Sequence, residues 1–115
     1  MLIQPGVYRN RNAAGLLRGG TKQVTGILTG TRFFRLRKAI RVSQRQEDGV
    51  WICDCAALGI HAYGETKAES WKGFIDIFEC DWDSIAGEKD SRLTRGAQAL
   101  KRKYLDLVQA VEPIL

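Results

Sequence analysis

Cys53, Cys55, His61 and Cys80 are the side chains here that could ligate a soft metal, and thiolate with imidazole is the donor set of structural zinc. Such a site needs four convergent ligands, commonly supplied by two CxxC-like knuckles. Cys53-x-Cys55 sits on a strand pattern that turns both thiols inward, His61 takes the outward parity of the next strand, and Cys80 lies on a helix away from its apolar stripe. The spacing therefore predicts no metal and no cofactor, with Cys53 and Cys55 as small buried hydrophobes. A cysteine–histidine nucleophilic pair fails on the same parity. Asp54, Glu65, Asp81 and Asp83 are the carboxylates that a two-metal nuclease would recruit. Arginines surround Asp54, and the helix acids read as a solvated face. No catalytic residue is assigned, and no enzyme is expected.

The arginines are the second set. Arg35, Arg37, Arg41 and Arg45 share one parity of a strand, and His61 and Tyr63 could interleave with them as stacking groups. That is a nucleic-acid-binding pattern without the signature of an RRM, KH or zinc-finger module. Charge is also divided along the chain. Residues 1–46 hold ten Lys/Arg and no acid, whereas residues 47–115 hold eight Lys/Arg and thirteen Asp/Glu. Residues 1–32 carry six of the twelve glycines and no sustained period. They are expected to be a flexible basic arm capable of weak nucleic-acid binding, although 24–31 has a short strand pattern weakened by Gly26 and Gly30.

The elements that position these residues follow from periodicity. Phe34, Leu36, Ile40 and Val42 alternate with the arginines, so residues 34–46 predict a first strand. Asp48-Gly49 is a two-residue type I′ hairpin signal. With that turn, paired residues sum to 97: Glu47 faces Val50, Gln44 faces Cys53, Arg45 faces Ile52 and Ser43 faces Asp54. A third strand runs over about 59–64. Thr66 and Glu69 have capping-box spacing, and a helix of about 67–86 should bury Trp71, Phe74, Ile75, Phe78, Trp82 and Ile85. Glu69, Asp76, Glu79 and Asp83 mark its acidic side. A last helix is expected from about Leu93 or Arg95 to Val111, ended by Pro113. The predicted fold class is α+β: a three-stranded antiparallel sheet with one long helix packed on it, plus a C-terminal helix. The domain spans 33–115 after the arm.

On that architecture the outward sheet face carries Ile52 and Tyr63 among Arg41, Arg45, Asp54 and His61. An apolar centre in a charged rim is the composition of an interaction patch, and the acidic helix side is a second one. At 115 residues the core is small, so association with a further copy is also expected to add burial. The run Ala13 to Leu17 is too short for a signal core or a membrane span. With an odd cysteine count, this predicts a reduced, cytoplasmic protein with no membrane partner.

Glu47-Asp48-Gly49-Val50-Trp51, Leu58-Gly59, and Gly64-Glu65-Thr66 with Glu69 behind it resemble the HicB-like antitoxin family. The likeness covers about Arg35 to Ala86. It implies a truncated RNase H-like β-β-β-α fold without nuclease chemistry, and a cytoplasmic antitoxin that masks a small, basic, RNA-cleaving HicA-like toxin. Two features depart from the family pattern. Ala56-Ala57 stands where a proline usually precedes the Leu-Gly turn, and residues 87–115 lack a second helix to read operator DNA.

Overall fold

The computed structural model describes residues 19–114. Its order is β1 (Gly19–Leu28), β2 (Arg32–Glu47), β3 (Val50–Cys55), a 3-10 turn (Ala56–Leu58), β4 (Ile60–Gly64), α1 (Lys67–Asp81) continued by a π-helical turn (Trp82–Ala86), a second 3-10 turn (Asp90–Arg92), α2 (Arg95–Leu107) and β5 (Val108–Pro113). The class is α+β, as expected, but the antiparallel sheet has five strands rather than three.

The hairpin at the centre follows the sequence. Asp48 and Gly49 both take positive φ, 52° and 79°, as a type I′ turn requires. The β2–β3 ladder runs from Glu47–Val50 to Ser43–Asp54 in the predicted register. Thr66 caps α1 by accepting from the Glu69 amide at 3.0 Å, while the Glu69 carboxylate accepts from the Glu65 amide at 2.9 Å. α1 then buries Phe74, Ile75 and Phe78 against the sheet face of Ile40, Val42, Cys53 and Cys55. Trp71, Trp82 and Ile85 are only half-buried, because they lie at the margins of the stripe. Phe78 meets Phe34 edge-on at 5.1 Å and Tyr104 of α2 at 5.2 Å, which joins both helices and the sheet in one core.

Both extra strands correct the sequence reading. Residues 19–28, expected to belong to a flexible arm, form β1 and pair along β2. They are ordered because Val24 and Ile27 bury in the core. Gly26, one of the two glycines that weakened the strand pattern, makes room instead: a Cβ there would lie 2.5 Å from the Phe33 ring. The remainder of the proposed arm, residues 1–18, lies outside the described residues. The last helix stops at Leu107, not Val111. Val108 to Pro113 pairs instead with Leu36 to Arg32. The β-branched Val108 and Val111 suit a strand, but their spacing of three is helical, and a register shift between Arg35 and Leu36 is what sets them opposite Leu36 and Phe34.

Candidate functional site

The helices cover one face of the sheet, and no described element covers the other. β2 delivers Arg35, Arg37, Arg41 and Arg45 to that open face, all of them exposed. The β3–β4 ladder sets Asp54 beside His61 and Ile52 beside Tyr63, so four of the predicted interface residues come from two adjacent cross-strand pairs.

Asp54 organises the charges. Its Oδ1 lies 2.7 Å from His61 Nδ1, and its Oδ2 accepts from Arg45 Nη1. Arg45 also donates through Nε to Glu47 at 2.6 Å. Burial alone would push the Asp54 carboxyl up, but hydrogen bonds from Arg45 and His61 outweigh it and hold the carboxyl below its ordinary value. The bond to Asp54, with that to Glu47, raises the already high Arg45 pKa. Arg41 lines a hollow of about 300 Å³ with Ser43, Asp54 and His61, but of the two arginines only Arg45 bridges Asp54.

The apolar centre differs from expectation in one residue. Tyr63 is 65% exposed, whereas Ile52 is only 9% exposed. Ile52 stands between Arg45 and Tyr63 across the two ladders, and longer neighbours on a sheet face cover a shorter one. Tyr63, not Ile52, is therefore the contact-ready apolar group.

The arginine row is partly used up. Arg35 reaches Glu112 of β5 at 3.4 Å and stacks near Phe33, whereas Arg37 and Arg41 make no salt bridge among the described residues. Leu28, 61% exposed, and Glu112 extend the same face and were not singled out in the sequence. Leu28 lies in the stretch expected to be the arm, and Glu112 just beyond the expected end of the last helix. Glu47 was within reach of the parity argument, because it follows Arg45 by two residues.

The acidic helix side is also partly engaged. Arg32 Nε donates to Glu79 at 2.9 Å and its Nη2 to Asp83 at 2.8 Å, while Thr29 donates to the same Glu79 oxygen. Lys72 holds Asp76 at 2.8 Å, and Glu69 serves the cap. Asp81 accepts from the buried Tyr104 hydroxyl at 2.9 Å, which leaves it out of any carboxylate cluster with Asp54. Cys53 and Cys55 are fully buried, and burial pushes the Cys53 thiol up to about 11, far from a reactive thiolate. Cys80 is exposed on α1. Among the described residues no group of three or more His, Cys, Asp or Glu could hold a metal ion, and no helix is long and apolar enough to cross a membrane. No family model, curated protein or solved structure matches this chain.

Proposed function

We propose that the chain is a non-catalytic protein-binding domain of the antitoxin type, which docks its partner on the open sheet face. The observation that carries this reading is Tyr63: an aromatic ring 65% exposed beside the covered Ile52, with Arg45, Asp54 and His61 locked together around it. A rigid aromatic with a pre-organised polar surround is the composition of a binding hot spot. The HicB-like segments supply the partner class, a small basic RNA-cleaving toxin. The test is co-expression with the product of the adjacent reading frame, followed by affinity measurement on the purified pair. Tyr63→Ala should weaken the complex by about 2 kcal/mol, roughly thirtyfold, with the fold retained by circular dichroism. Unchanged affinity would remove the sheet face from the interface.

Arg37 and Arg41, with no salt bridge among the described residues, favour one second reading: a nucleic-acid-binding module that uses the same face.

A further inference from the structure

β2 is flanked by β1 on one side, where residues 36–39 bulge between the Ile40–Val24 and Arg35–Gly26 pairs, and by two separate strands on the other. β5 runs beside it only as far as Leu36, and β3 begins only at Ser43. No strand pairs with residues 37–42 on that side. A strand stretch without a neighbour offers main-chain donors and acceptors to an incoming chain. On the helix side of the break lies a groove of about 360 Å³. Its floor is Ile40, Leu58 and Leu107, and its rim carries Lys38, Lys103 and Asp106. On the open face, Arg41 and His61 border the other hollow at the same break.

The charges around the break do not balance. Arg37, Lys38, Arg41 and Lys103 form no salt bridge among the described residues. Asp106 is the one acid lining the groove. We propose that this break binds a short, extended, acidic segment of a partner protein, with an apolar side chain seated over Ile40, Leu58 and Leu107 and carboxylates set against the four cations. The apolar seat lies on the helix side of the sheet and Tyr63 on the open face, so it is a second docking point and does not depend on the antitoxin reading.

The shape and chemistry select that occupant. Lys38 rims the groove on the helix side and Arg41 borders the hollow on the open face, so one small carboxylate cannot meet both. A peptide carrying several acids can. Nucleic-acid phosphates would satisfy the cations but have nothing to place on the apolar floor. The start of this chain has the wrong sign, since Arg9, Arg11 and Arg18 are its charged residues before β1.

The experiment is fluorescence anisotropy on the full chain. The probes are labelled hexapeptides in which four glutamates flank two central leucines, phenylalanines or tryptophans. Controls carry central glycines, or glutamines in place of the glutamates, and a hexathymidylate provides phosphates without an apolar anchor. At least one acidic–apolar peptide should bind tenfold or more tightly than every control. Lys38→Glu with Lys103→Glu should reduce that binding at least tenfold, with Lys38→Gln and Lys103→Gln as the pair to use should the first not fold. Tyr63→Ala should leave it unchanged. The proposal is overturned by a panel in which no peptide exceeds the controls tenfold. It is also overturned by a folded lysine variant that binds normally, by loss of binding in Tyr63→Ala, or by hexathymidylate binding more tightly than every peptide.

Discussion

Asp54 ties the electrostatics of the open face to pH. Its carboxyl is held below the ordinary value, near 3.9 for an unfolded chain, so its contribution to stability is present above about pH 4. That contribution is lost as pH falls through the lower folded-state value. Asp54→Asn should therefore cost up to about 1 kcal/mol at pH 6, where an exposed ion pair is worth that order, and little at pH 2. Urea titrations of both proteins at the two pH values check this; parallel losses across the range would mean that Asp54 stabilises nothing through its charge. Phe78 sets the larger scale. It is fully buried between Phe34 and Tyr104, so Phe78→Ala should cost about 3–5 kcal/mol, and an unchanged melting temperature would contradict the packing described. Both residues were legible from the chain alone, Asp54 by ladder parity and Phe78 by helical period. The burial of Ile52 was not, because parity gives the face on which a side chain lies but not how far its neighbours lean over it.

At the scale of elements, local signals identified what local forces determine. Asp48-Gly49 and the Thr66–Glu69 cap each act within a few residues, and they fixed one register and one helix start correctly. β1 and β5 are held by distant partners on β2; residues 24–31 carry only a weak strand pattern of their own, and β5 carries none. The run from Arg95 keeps its 3.6 period to Leu107, and Val108 and Val111 continue a helical spacing, so the change to a strand leaves no mark in the pattern. β5 is where this matters most, since its Val108 is buried and it covers Phe34 and Leu36 from the side. Removing residues 108–115 should cost about 2 kcal/mol or more, the scale of one buried aliphatic side chain. It should also speed hydrogen exchange at residues 32–36 ahead of the β2–β3 hairpin. Uniform exchange along β2 after truncation would mean that β5 is dispensable.

For the whole molecule, the separation of charge in the sequence becomes a separation in space only in part. The described part of the basic half, residues 19–46, folds into β1 and β2 and hands three of its cations, Arg32, Arg35 and Arg45, to acids of the later half. Arg35 goes to Glu112 of β5. What remains of the predicted nucleic-acid face is Arg37 and Arg41, too few to anchor a duplex through phosphates alone. Each neutralised duplex phosphate contributes a slope of about −0.9 to the dependence of log affinity on log salt. If this face binds DNA, changing Arg37 and Arg41 to glutamine should lower the slope by about 1.8, two phosphates' worth, while the melting temperature stays put. Arg35→Gln should change it less, because Glu112 already holds that guanidinium. On the protein-binding reading, the expected result is weak binding that is independent of sequence and lost at physiological salt. Tight and sequence-selective DNA binding that survives 150 mM salt (about an 8 Å screening length) would need base contacts beyond Arg37 and Arg41, and would reverse the order of the two readings.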